Sequence, residues 1–176
     1  NRQDSLTYLA AENIYMKGRK DESKTAFNKY LQAYPNGVFA SDTHFYLGDM
    51  AFEAKDFDKA LTHFNEVINS NNPKYIANAL VFASGIEFDR KNYEAAYAAY
   101  EHLNMVASNT ENKDIAQLGM LRCAYLLKKD NEVVAAASKI LQGAKAAPAV
   151  ANEARFYRGK SYINLKKNDE AATDLQ

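Results

Sequence analysis

The sequence predicts an all-α fold in which antiparallel helix pairs follow one another as a tandem array of about four and a half repeats. Three observations predict it. Related residues return at a nearly constant spacing of 36 to 38 positions. Within each segment, small and aromatic residues recur every three or four positions, as in Phe57, Ala60 and Phe64, which is the period of a helix face. Glycine and proline are scarce, 7 and 3 in 176 residues, and all three prolines fall where one helical stretch stops and the next begins.

Three segments set the register: Tyr46-Leu47-Gly48 with Phe57, Ala60 and Phe64; Tyr93 with Ala96 and Tyr100; and Tyr157-Arg158-Gly159 with Tyr162, Ala171 and Leu175. Gly48 and Gly159 stand three steps of 37 apart. The template places repeat starts near Asp4, Ser41, Ala77, Ile115 and Asn152, giving repeats over 4–40, 41–76, 77–114, 115–151 and a shortened 152–176.

Each repeat reads as two helices. In the first, Gly18 ends helix one by accepting a left-handed conformation, Asp21 is expected to cap helix two, and Tyr34-Pro35-Asn36-Gly37 ends it. In the second, helices are expected over about 41–54 and 58–70 around a Lys55-Asp56 turn. The latter helix stops before Pro73, because a residue preceding proline avoids helical backbone. Gly143 and Pro148 punctuate the fourth repeat in the same way.

Composition excludes several classes of function. Lys plus Arg equals Asp plus Glu, 22 each, so no basic surplus draws nucleic acid. No apolar run approaches the roughly 20 residues of a membrane helix, so insertion of this segment is not expected. A single cysteine, Cys123, rules out an internal disulfide. The chain opens at Asn1 without a Met or an apolar leader and stops at Gln176 inside a helical pattern, and it is expected to be part of a longer protein.

The pattern resembles the tetratricopeptide repeat across essentially the whole chain. That family keeps a small residue at position 8 of its unit (here Ala11, Gly48, Ser84, Arg122 and Gly159), a small one at position 20 (Ser23, Ala60, Ala96, Val134 and Ala171) and a large one at position 24 (Phe27, Phe64, Tyr100, Ser138 and Leu175). Arg122, Val134 and Ser138 depart, so the fourth repeat is expected to be degenerate and loosely packed. The long period and the Tyr34-Pro35-Asn36-Gly37 link are similar to tetratricopeptide proteins of the bacterial cell envelope, such as outer-membrane assembly lipoproteins and the Tol–Pal coordinator. That likeness implies a periplasmic or outer-membrane-associated address, with the cytoplasm as the alternative.

The resemblance implies a right-handed α-solenoid whose first helices line a concave groove that takes a peptide or helix of another protein. The family's groove positions fall on Tyr8, Glu12 and Tyr15 in the first repeat and on Phe45, Asp49, Phe52 and Glu53 in the second. They continue through Phe88 and Asp89 in the third and Phe156 and Lys160 in the fifth. Aromatic rings interleaved with carboxylates suit a segment carrying basic and apolar residues. The other reading is that these rings pack between repeats and the carboxylates are solvated; the sequence leaves both open. The carboxylate clamp of chaperone-binding members is not expected, because the matching positions, Tyr8, Glu12, Tyr46, Asn78 and Phe82, offer no cation.

No catalytic or metal constellation stands out. His44 belongs to a first helix, and His63 and His102 to second helices of different repeats, without the i, i+4 spacing of a helical zinc site. Cys123 lies in an apolar stretch, expected as packing rather than as a nucleophile. Gly85 and Gly119 are isolated within helices and make no phosphate loop, and Asp169-Glu170 opens a helix where negative charge suits the dipole. The expectation is a non-enzymatic protein-interaction scaffold without cofactor or metal. The alternatives are an architectural spacer that self-associates through exposed array ends, and a glycan-binding or enzyme-accessory module of the envelope.

Overall fold

The computed structural model describes residues 2–143 and 145–176. Among these it holds ten α-helices and no strand: α1 Arg2–Met16, α2 Lys20–Ala33, α3 Ala40–Glu53, α4 Phe57–Asn69, α5 Ile76–Asp89, α6 Tyr93–Val106, α7 Thr110–Leu126, α8 Asp130–Leu141, α9 Pro148–Asn164 and α10 Asn168–Asp174. Odd and even helices pair through three-residue turns, an all-α helical repeat array. The chain divides into two compact units, Asn1–Phe82 and Ala83–Gln176, with the division inside α5.

One backbone device makes every turn within a pair. The second residue of each turn has positive φ: Gly18 at 78°, Lys55 at 60°, Lys91 at 63°, Lys128 at 58° and Lys166 at 60°. At each, two bonds close the preceding helix. Arg19 N–H reaches Ile14 C=O and Gly18 N–H reaches Tyr15 C=O, and the same pair of bonds recurs at Asp56 and Lys55, Asn92 and Lys91, Lys129 and Lys128, and Lys167 and Lys166. This Schellman arrangement satisfies carbonyls that the helix end would leave bare. Four of the five positions use lysine where glycine avoids the left-handed penalty. Asp21, expected as a cap, sits within the first turn of α2 instead; Arg19 is the capping residue, and its side chain caps no backbone N–H. The carboxylate still faces the positive end of the helix dipole.

The positive-φ residues also set the register, with steps of 37, 36, 37 and 38. Seven residues before each lies a buried residue, and sixteen residues further on is its partner across the pair: Ala11 with Phe27, Gly48 with Phe64, Ser84 with Tyr100, Leu121 with Ala137, and Gly159 with Leu175. The fourth repeat is therefore read one residue too late by the sequence template. Leu121 and Val133 are fully buried where Arg122 and Val134 were expected, and Arg122 points outward to Glu153 through bonds of 2.7 and 3.0 Å. Large and small have exchanged places, Leu121 on the first helix against Ala137 on the second, and the volume between the helices stays filled. Leu121, Ala124, Val133, Ala137 and Ala154 form one closed cluster in unit 2.

In unit 1, Tyr8, Ala11, Phe27, Tyr30, Tyr46, Leu47 and Met50 form the main core. The link from α2 to α3 is anchored to it. The Tyr30 hydroxyl donates to buried Asp4 and accepts from Phe39 N–H at 3.0 Å, while Val38 N–H donates to Asp4 at 3.3 Å. A Cβ on Gly37 would collide with the Tyr30 hydroxyl and Asp4, so the Tyr34-Pro35-Asn36-Gly37 link ends on glycine for want of space.

A Cβ on Gly48 would lie 2.8–3.1 Å from the Phe64 ring, which is fully buried and cannot yield. Gly48→Leu is expected to lose about 1–3 kcal/mol by overpacking, net of roughly 1 kcal/mol regained in helix propensity. Gly48→Leu with Phe64→Ala, copying the Leu121–Ala137 exchange, is expected to recover most of that. Urea unfolding of the single and double variants checks it, and equal stabilities would contradict the pairing.

Candidate functional site

The expected groove residues lie on first helices, and the structure treats them unequally. In unit 1, Tyr8 is buried, 2% exposed, stacked on Phe39 at 4.3 Å and closed in by Phe27 and Tyr30. It belongs to the core and cannot line a surface. Only its hydroxyl reaches outward, donating to Glu12 Oε2 at 2.6 Å, which also accepts from the Tyr46 hydroxyl at 2.9 Å. The Tyr15 hydroxyl donates to Asp49 Oδ2 at 2.9 Å. Glu12, Tyr15, Phe45, Asp49 and Phe52 are half-buried and Glu53 is exposed. Phe45 stacks on Tyr75 at 4.3 Å, and Phe52 packs against Phe57 and Phe82. α1 and α3 thus present two carboxylates held by phenols, rimmed by half-open rings.

Electrostatics follow from that geometry. Burial raises the phenol pKa of Tyr8, and the bond to Glu12 raises it further. Burial likewise raises Tyr46, with bonds to Tyr75 and Glu12 adding to it. Tyr15 is pushed up to about 12, first by burial and then by its bond to Asp49. These hydroxyls stay protonated donors at any physiological pH and keep the carboxylates aimed. Glu53 pairs with Lys20 at the rim, an exposed ion pair that contributes little.

In unit 2, Phe88 is half-buried edge-on to Tyr93 at 5.4 Å, and Asp89 beside it is exposed. Phe156 is 50% exposed, with the Lys160 ammonium 6.0 Å from its ring centre. Arg158 of the same helix is held bidentately by Asp174 at 2.7 Å and by Ser138 at 3.0 Å, so its charge is paired. Gly119 and Cys123 are buried. A Cβ on Gly119 would strike the Tyr100 ring. Burial pushes the Cys123 thiol up to about 11, so it is no ready nucleophile.

Sequence reasoning missed two arrangements. The hydroxyl–carboxylate ties join residues up to 34 positions apart. His44 and His63, 19 positions apart, are in direct contact. Among the described residues no group of three or more His, Cys, Asp or Glu could hold a metal ion, and no helix is long and apolar enough to cross a membrane.

The tetratricopeptide repeat profile matches residues 4–37, 42–73 and 153–176, 90 of the 176 residues. The chain belongs to the tetratricopeptide repeat family. Among solved structures, MamA protein aligns with 98% of the chain and 87% of its own length, at TM-score 0.62 and 18% identity. A MamA RS-1 double mutant aligns with 99% and 92%, at 0.61 and 12%. A tetratricopeptide repeat protein from Parabacteroides merdae aligns with 98% and 62%, at 0.54 and 16%. At these identities the likeness is one of fold. No curated protein sequence matches the chain. Tetratricopeptide repeats generally serve protein–protein interaction, because stacked helix pairs expose long rigid surfaces.

Glu12 is the hub of the phenol ties. Glu12→Ala strands the Tyr8 hydroxyl, removes one of the two bonds of the Tyr46 hydroxyl and is expected to cost about 1–3 kcal/mol. A double-mutant cycle with Tyr46→Phe in urea unfolding should show coupling; additive losses would mean that the bond carries no stability.

Proposed function

We propose that this tetratricopeptide repeat protein is a non-enzymatic interaction scaffold, and that the first-helix face of unit 1 holds a partner segment carrying basic and apolar residues. The observation that carries the reading is the pairing of oriented carboxylates with open rings: Glu12 and Asp49 held by phenols, beside half-exposed Tyr15, Phe45 and Phe52 and exposed Glu53. A Lys or Arg of the partner meets fixed acceptors, and its apolar neighbours meet aromatic surface. Such an arrangement needs little reordering on binding, which favours affinity. Phe88 and Asp89, and Phe156 and Lys160, are the corresponding contacts we assign in unit 2.

A second reading, self-association, is favoured by α1. Leu6 and Leu9 are 52% and 50% exposed, whereas the equivalent residues Thr43, Ala79, Ala116 and Ala154, and Tyr46, are buried. Light scattering over a concentration series, with Leu6→Lys and Leu9→Lys, tests it; a concentration-independent monomer ends it. We place the protein in the bacterial envelope on the style of the 34–37 link alone. Fractionation of cells making the full-length protein checks this, and recovery in the cytosol would overturn it.

Selection from a random peptide library is expected to enrich Lys or Arg flanked by apolar residues. Asp49→Asn with Glu53→Gln should weaken the selected peptides by roughly tenfold or more, about 1.4 kcal/mol, while thermal stability holds within about 1 kcal/mol. Peptides without basic residues, or binding unaffected by the double variant, would refute the assignment.

A further inference from the structure

Away from the first-helix face, α3 and α4 share an arrangement that the binding reading does not use. His44 of α3 and His63 of α4 place their Nδ1 atoms 2.9 Å apart, with ring centroids 5.2 Å apart and planes inclined by 39°. Both rings are half-buried. The centroid separation equals the nitrogen separation plus the two ring radii, so the nitrogens face each other along the line between the rings. Chelation would need both lone pairs to converge on a point beside that line. The geometry is instead that of a hydrogen bond: one Nδ1 carries the proton and the other offers its lone pair.

Such a pair tolerates one added proton but not two. A first can settle on the outer nitrogen of the donating ring and leave the bond intact. A second must go to the accepting Nδ1, which sets two N–H groups and two positive charges against each other at bonding distance.

We propose that the His44–His63 pair is an acid-sensitive latch between α3 and α4, tying the helix pair together through one shared proton and forcing it apart when both rings are charged. The surroundings bias the latch. Glu66 on α4 favours a charge on His44, whereas Lys59 on α4 and Lys24 on α2 oppose one on His63. The cleft beside His63, of about 370 Å³, is also lined by Lys20, Asp21, Glu53 and Asp56. Burial is the largest influence on both rings. It lowers His44 and, with His44 and the two lysines, pushes His63 down to about 4.

The sign follows from linkage. The folded-state values lie below the unfolded histidine value of about 6.5, so the unfolded chain binds protons first as pH falls. Stability is full above about pH 6.5 and declines toward pH 4. The folded-to-unfolded ratio falls by up to about tenfold per pH unit for each proton withheld.

The test is urea unfolding of the whole chain between pH 7.5 and 5, with His63→Gln and His44→Asn alongside, together with imidazole ¹⁵N NMR of the unmutated protein. The expected result is a midpoint that drops below pH 6.5 in the unmutated protein and stays flatter in both variants. His63 should remain neutral at pH 5.5, with coupling across the Nδ1–H···Nδ1 bond. Equal pH slopes in all three proteins, or two rings titrating independently near 6.5, would overturn the proposal. If a variant does not fold, the NMR titration decides alone.

Discussion

Each repeat depends on one close approach, in which a residue seven places before the turn meets a residue sixteen places further along, on the returning helix. Where the first is glycine or alanine, the second is a ring or a leucine: Gly48 under Phe64, Gly159 under Leu175, Ala11 beside Phe27. The turn makes the meeting reproducible. A left-handed residue with two closing backbone bonds reverses the chain in three residues, so the second helix returns at a fixed offset. The facing histidines require that offset, since they join the two helices of one pair, and the Tyr15–Asp49 and Tyr46–Glu12 bonds join α1 to α3 of the next pair.

Most of the fold was legible because the constraint is local. The small residue Gly48, the ring Phe64 and the turn around Lys55 lie within 17 positions of one another, and their return at a near-constant step exposes the array. The helices expected over 41–54 and 58–70 fall within one residue of α3 and α4. The fourth repeat misled because its constraint is one of combined volume. Leu121 with Ala137 fills the space that Gly48 with Phe64 fills, but a template asking for small and then large finds that order at neither register, and the near-constant step carries it one residue on to Arg122.

The candidate site was less legible. The tetratricopeptide template correctly marked Glu12, Tyr15, Asp49 and Phe52 as first-helix residues, yet nothing in the linear pattern separates Tyr8, a core ring with a polar tip, from Tyr15, a ring half open to solvent. That distinction depends on Phe39, which arrives from the following link to cover Tyr8. The histidine pair was hidden for a related reason. His44 and His63 sit in different helices, and only their heights along α3 and α4 bring the nitrogens to 2.9 Å.

The exchange of Leu121 and Ala137 bears on how such a chain can change over time. Much of the space between two paired helices is filled by two side chains that meet across it, and the next pair packs on the larger of them, as Tyr46 does on Phe27 and Phe82 on Phe64. A substitution that empties or crowds one pair can be answered in large part by a second inside the same forty-residue stretch. Heredity can therefore rewrite the array one hairpin at a time, and surfaces facing a partner can drift in one repeat while the next keeps its spelling.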